Sequence, residues 1–317
     1  MGKYVLKRVL LMIPTMLLVC IIVFALLRLV PGSAVDFIVY TYKTNGVMMT
    51  NEQAEALLGL DKPAVIQFFE WLGGAIRLDL GESLFQYDSV TSIIARQLPV
   101  TLELGILTLV FSTLISVPLG LFCASHQDSI SDSALRVGGV ILSSLPLFWV
   151  GTMVLVYPAV WWKWSTPIKF VSFFDDPVEN LRMFLIPALI GALMQAGMQV
   201  RMVRTFVLET LRQDYIRTAW AKGLKSRRVL FAHAFRNALI PFITMFGGAV
   251  AGLVGGSVVL ETMFNIPGIG SQLVTALSNR DYPIVQGCTV VFGAFVMVVN
   301  LIVDLAYRWC DPRVTLE

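Results

Sequence analysis

The stretch RMVRTFVLETLRQDYIRTAWAKGLKSRRVLFAHAFR, Arg201–Arg236, stands between two strongly apolar runs and carries nine Lys or Arg against two acids, Glu209 and Asp214. So much charge keeps the segment out of hydrocarbon, and its sign places it on the cytoplasmic face of a membrane. The residues keep a helical period that breaks at Gly223, which predicts a helix, a short helix ending at the glycine, and a third helix re-entering the apolar phase. A membrane protein that offers a structured cationic element to the cytoplasm offers it to lipid or to a protein partner.

The flanking sequence agrees with a membrane setting. Of 317 residues 56 % are hydrophobic and only 14 % charged, and the mean hydropathy is +0.76, so a water-soluble fold would leave more apolar surface exposed than water tolerates. Six apolar runs approach the roughly 20 helical residues needed to cross about 30 Å of hydrocarbon. They lie near Val9–Val30, Leu98–Cys123, Val137–Trp162, Leu181–Val203, Leu239–Met263 and Ile284–Trp309. The expected fold is therefore an all-α polytopic membrane protein with six transmembrane helices. The first run follows Lys3, Lys7 and Arg8, is longer than the apolar core of a signal peptide, and has no small-x-small cleavage site before Pro31, so it reads as an uncleaved anchor.

Charge bias sets the expected orientation. With the basic N-terminus inside, residues 31–97 fall outside, where four bases (Lys43, Lys62, Arg77, Arg96) face eight acids (Asp36, Glu52, Glu55, Asp61, Glu70, Asp79, Glu82, Asp88). Both termini and the basic loop are then cytoplasmic. The chain divides into residues 1–30, the N-terminal tip and first span; residues 31–97, an extracytoplasmic cap; and residues 98–317, a five-helix core that includes the loop 204–236. In the fifth run Gly248, Gly252 and Gly256 repeat at every fourth position, a face on which another helix approaches closely, within the bundle or from a second subunit. Pro118, Pro146, Pro158 and Pro187 are expected to kink their runs. Gln195 and Gln199, four residues apart on one face of the fourth run, are candidate pathway residues or bond to a neighbouring helix.

Several function classes are disfavoured. No G-x-x-x-x-G-K-[ST] occurs anywhere in the chain, so it has no phosphate-cradling loop of its own. Ser257 and His233 are separated by about 36 Å of helical path at 1.5 Å per residue, too far for a nucleophile and its base. The two histidines and the four cysteines, Cys20, Cys123, Cys288 and Cys310, are scattered, which leaves no metal, redox or disulfide framework to assign. No catalytic, cofactor-binding or metal residue is expected. A self-contained carrier or channel would call for inverted repeats or midplane ionisable groups, and neither is evident.

Within the basic loop, Asp214-Tyr215 and Arg217-Thr218-Ala219, followed by Lys222-Gly223, resemble the cytoplasmic signature loop of ABC importer permeases. In that loop Glu-Ala-Ala precedes a glycine at fixed spacing; here Arg217-Thr218 stands for Glu-Ala, Trp220 replaces a usual basic residue, and Pro241 comes late. Further resemblance lies in Leu58-Gly-Leu-Asp-Lys-Pro63, Leu78-Asp-Leu-Gly-Glu-Ser83, Leu98-Pro-Val-Thr-Leu-Glu103, Glu261-Thr-Met-Phe-Asn-Ile-Pro-Gly-Ile-Gly270, Asn279-Arg-Asp-Tyr-Pro-Ile-Val-Gln-Gly287 and Asp311-Pro-Arg313. Together they are similar to the first permease of dipeptide, oligopeptide and nickel importers, over nearly the whole chain.

The resemblance implies a permease subunit of an ATP-driven importer in a bacterial or archaeal cytoplasmic membrane, with peptides as cargo and nickel or a metal chelate as the alternative. It implies four kinds of partner: a second homologous permease, two ATP-binding subunits that hold the ATP and Mg2+, an extracytoplasmic solute-binding protein, and membrane lipid, with no nucleic acid. Asp214, Tyr215, Arg217, Thr218, Ala219, Lys222 and Gly223 would then form the element that couples ATP hydrolysis to the spans. The alternative for the loop is an amphipathic helix held on anionic lipid.

Overall fold

A computed structural model describes residues 2–29, 34–44, 46–167 and 169–310; Asp311-Pro-Arg313 lies outside the described residues, as do the side-chain surroundings of Gly256. The described chain is helical throughout apart from short connections. Four helices, α1 (Gly2–Leu29), α5 (Val90–Ser125), α8 (Pro177–Leu211) and α13 (Tyr282–Cys310), are long and apolar enough to cross a membrane. Two bent pairs bring the total to six if each pair is one span. These are α6 (Ile130–Ser144) with α7 (Leu147–Trp162), and the helices either side of Pro241 in the path from α10 (Ser226–Arg228) into α11 (Arg236–Met263). The expected all-α, polytopic architecture is thus present.

The four prolines expected to kink their runs behave differently from one another. α5 continues through Pro118, α7 through Pro158 and α8 through Pro187. At Pro146 the path turns by 90° between α6 and α7. Leu145, the residue before the proline, is extended at φ −75°, ψ 134°, because the ring of a following proline crowds the helical conformation. The Val137–Trp162 run is therefore two helices meeting at a corner.

The contacts group into two units. One comprises residues 1–100 and 268–297; the other comprises residues 101–267 and 298–317.

In the first unit, α2 (Ala34–Thr44) and α3 (Asn51–Leu57) close on Val35, Ile38 and Ala54, with Leu58, Leu60, Leu84 and Phe85 around them. Thr50 and Gln53 cap α3 reciprocally, which satisfies two donors at its start. Its end is a glycine stop: Gly59 sits at φ +62° and donates to Ala56, while Leu60 donates to Glu55, the pairing of a Schellman motif. That is the local meaning of Leu58-Gly-Leu in the sequence. α4 (Ala64–Ile76) packs Phe68 edge-on to Phe24 of α1, with centroids 5.1 Å apart.

Asp281, between α12 (Ile269–Asn279) and α13, is buried and accepts from the Ser83 hydroxyl at 2.6 Å and from the Leu84 amide at 3.4 Å. Two sequence motifs almost 200 residues apart thus meet at one carboxylate. Burial pushes the Asp281 carboxyl above its ordinary value of 3.8, partly offset by the Ser83 and backbone hydrogen bonds. The folded chain is then the tighter proton binder at this site. Its contribution to stability is complete below the unfolded value and is lost as pH rises through the folded one. Thermal unfolding of the purified protein against pH should show wild type losing stability relative to Asp281→Asn as pH rises from about 4; a difference independent of pH would refute the assignment.

In the second unit α8 is the central element, with 56 % of its most apolar window buried. Asp176 caps its start by accepting from the Val178 and Glu179 amides, with Pro177 in the first turn. α6 crosses α8 where Gly139 and Gly197 touch: a Cβ on either would lie 2.6–2.7 Å from the other's carbonyl oxygen. By contrast Gly248 and Gly252 of α11 have nothing within 4 Å of a built Cβ, while Gly247 packs on Val303 of α13. Among the described residues of this unit, none packs on the Gly248 face. Gly197→Ala should therefore abolish accumulation of folded protein, whereas Gly252→Ala should leave the monomer's detergent-solubilised melting curve unchanged. Equal melting curves for the two variants would contradict the packing described.

Candidate functional site: the loop from α8 to α11

α9 (Asp214–Ala221) follows α8 after a two-residue turn. One face is buried: Ile216 and Ala219 pack with Val229, and Leu211 and Leu224 close the cluster. Val229 opens a π-helical turn, Val229–Phe235, that joins α10 to α11, a geometry that often marks functional positions. Tyr215 and Trp220, each 45 % exposed, flank this face, and the far side carries the Asp214–Arg217 pair at 3.3 Å, largely in solvent. Such an exposed pair adds at most about 1 kcal/mol, so the apolar cluster holds α9 in place.

The predicted stop at Gly223 has a definite form. Gly223 sits at φ +73° and donates to Trp220 at 2.9 Å, while Leu224 donates to Ala219 at 3.4 Å. Leu224 and Ala219 also share the buried cluster, so hydrogen bonds and an apolar contact close the Schellman end together. Lys222 is the C-cap residue, and the Thr218 hydroxyl donates back to the Asp214 carbonyl. All seven residues singled out in the sequence thus lie on one short helix and its cap. Burial pushes the Tyr215 phenol above its ordinary value, and the nearby Asn237 side chain acts against that shift.

The base of the loop is fixed by a cluster that sequence reading missed. Asp132, fully buried in the first turn of α6, accepts from Arg204 Nε at 2.8 Å and from an Arg204 terminal nitrogen at 2.7 Å. The Asp128 amide also donates to Asp132, and Arg136 lies 3.5 Å away. A bidentate guanidinium–carboxylate fork is both strong and directional. It ties α8 to α6 two turns before α8 ends. The available signal was Ser129-x-x-Asp132: Ser129 accepts from the Asp132 amide as a helix cap, which marks a helix start but not the partner of its acid.

The two glutamines separate. Gln199 is buried and accepts from Ser116 at 3.0 Å, the helix-to-helix bond that was one of its two readings. Gln195 lines a cavity of about 300 Å3 with Thr108, Ser257 and Gly252. Gln195 and Gly252, assigned separately in the sequence, therefore face one space.

With this geometry in view, residues 116–316 match the family of binding-protein-dependent transport system inner membrane components. Over 317 residues and the full length of both chains the protein is 38 % identical to a putative peptide transport system permease protein of Brucella abortus strain 2308. It is 34 % identical to the di/tripeptide transport system permease protein DppB of Pseudomonas aeruginosa, with 99 % of each chain covered. It is 34 % identical, again over 99 % of each chain, to a probable peptide ABC transporter permease protein of Sinorhizobium fredii. A helical chain with up to six spans, matched to this family over most of its length, belongs to the binding-protein-dependent transport system inner membrane components and is a multi-pass membrane protein.

Proposed function

We propose that the chain is the transmembrane permease subunit of an ATP-driven peptide importer, with both termini and the α8–α11 loop in the cytoplasm and residues 31–97 outside. The observation that carries this reading is α9. It is a short helix clamped by its apolar face and stopped by a left-handed glycine, and it holds Tyr215, Arg217 and Trp220 outward on a stiff base. Such an element passes a push from a docked subunit into α8 and α11 without bending. The sequence contains no nucleotide-binding loop, so ATP and Mg2+ belong on partner subunits. The free face of α11 at Gly248 and Gly252 suits a second, homologous permease. The relatives named as peptide permeases support peptide as cargo.

Affinity purification of the chain from native membranes in mild detergent tests the assembly. Recovery of a second permease, two ATP-binding chains and, on addition, an extracytoplasmic binding protein is the expected result. Recovery of the chain alone or as a homo-oligomer without an ATPase would make α9 a lipid-surface helix and overturn the reading. Peptide uptake by the reconstituted complex then decides cargo, and nickel uptake in its place would displace peptide.

A further inference from the structure

We propose that the first unit contains its own binding site for a short zwitterionic peptide, distinct from the cavity at Gln195. This rests on the peptide-importer reading and adds a site on the permease itself. Between the last turn of α1, the helices α2–α4 and the first turn of α13 lies a cavity of about 440 Å3, within the ~300–1,000 Å3 usual for small-ligand sites. Its walls carry charges of both signs. Arg28 comes from the end of α1 and Glu82 from the turn before α5, and among the described residues neither has an ion-pair partner. The other lining acid, Glu70, is already held by Lys62 at 2.8 Å.

Arg28 is positioned in advance. Its guanidinium lies 3.4 Å above the Phe24 ring centroid, donates to the Phe24 carbonyl at 3.2 Å and donates to Gln67. A guanidinium has five N–H donors, so these bonds leave donors for a carboxylate, and a planar fork is the group that binds a carboxylate bidentately. Glu82, with no cation of its own among the described residues, supplies the counterpart for an ammonium. Tyr42, Tyr87 and Tyr282 line the same space, and the Tyr42 and Tyr87 hydroxyls are 3.5 Å apart. These side chains combine apolar area with hydroxyls able to meet peptide N–H and C=O groups. Trp71, also in the wall, has a buried indole N–H with no acceptor among the described residues, an uncommon state that a ligand carbonyl would relieve. A cation or an anion alone would satisfy one of the two free charges and leave the other; a molecule with an ammonium at one end and a carboxylate at the other satisfies both.

The test uses the whole transporter complex in nanodiscs without its binding protein. Equilibrium binding of radiolabelled dileucine is measured beside its N-acetylated and C-amidated forms. Wild type should bind dileucine, and blocking either terminus should weaken binding by about tenfold or more, as should Arg28→Gln or Glu82→Gln, through loss of one charge-assisted contact. Arg96→Gln, whose partners Asp88 and Ser92 lie outside the cavity wall, should leave the affinity unchanged. The blocked peptides probe the unaltered protein, so a variant that fails to fold does not decide the result. Absence of binding, or equal binding of free and blocked peptides, while the same complex in proteoliposomes with its binding protein still takes up dileucine at the normal rate, would remove the site and leave the importer reading standing. Absence of both binding and uptake for every peptide would overturn both.

Discussion

Gly223→Val is expected to leave the chain in the membrane at normal abundance yet to reduce binding-protein-stimulated ATP hydrolysis of the complex more than about tenfold. The physical cause is conformational. A Cβ at residue 223 would meet no atom within 4 Å, so volume is not at issue, but the backbone is held at φ +73°. An L-residue pays roughly 1–2 kcal/mol in this region, and a β-branched one is a rare outlier there. Relieving the strain undoes the Gly223–Trp220 and Leu224–Ala219 hydrogen bonds, at about 0.5–1.5 kcal/mol each. Leu224 also leaves the cluster that seats α9. A few kcal/mol exceeds what an eight-residue helix recovers elsewhere, since so short a helix is marginal without its packing. Gly223→Asn should retain most of the stimulation, because asparagine enters the left-handed region far more readily. Normal stimulation in Gly223→Val would remove α9 from the coupling path, whereas equal failure of the Asn and Val variants would point to side-chain bulk at the partner surface.

The second large effect falls on stability. Asp132→Ala should destabilise the protein by about 3–5 kcal/mol, because it leaves the Arg204 guanidinium, only 14 % exposed, with no anion but the exposed Asp128 carboxylate at 3.8 Å. Against a total stability of roughly 5–15 kcal/mol such a loss shows as a large drop in melting temperature and in yield. Replacing both partners by apolar residues of similar size, Asp132→Leu with Arg204→Met, should recover most of the loss, since no buried charge then remains. The wild-type melting temperature should change little between 0.05 and 0.5 M NaCl, because salt screens buried pairs weakly. Wild-type-like melting of Asp132→Ala would mean the fork is dispensable. Recovery of stability in the double variant without recovery of ATPase stimulation would assign the fork a part in holding the loop's base during transport.

Much of the coupling loop was legible from local pattern. Charge density set Arg201–Arg236 apart from the apolar runs, helical period placed the short helix, and the glycine marked its stop, because helix ends are decided by the backbone needs of three or four neighbouring residues. The 90° corner was only half legible: Pro146 announced an interruption, but Pro118, Pro158 and Pro187 carry the same signal within continuous helices. A proline removes one hydrogen bond and crowds one turn, and whether the helix continues depends on what the next segment packs against. The glycines show the same limit. Gly248 and Gly252 advertised close packing by their spacing and are open to the described residues of the unit, while Gly139 and Gly197, with no such repeat, bring two helices into backbone contact.

By itself the sequence determined that the chain is a membrane-spanning helical protein, where its apolar segments lie, which loop is cationic, and that a glycine ends the helix in that loop. These follow from periods, caps and charge, all properties of short stretches. Only the tertiary structure decided that Arg204 closes on Asp132 across 72 residues, that Ser83 meets Asp281 across 198, and that Arg28 and Glu82 border one cavity. Such pairings depend on which helix faces come together, and every polar residue on a helix offers the same chemistry until packing excludes water from some and brings partners to others.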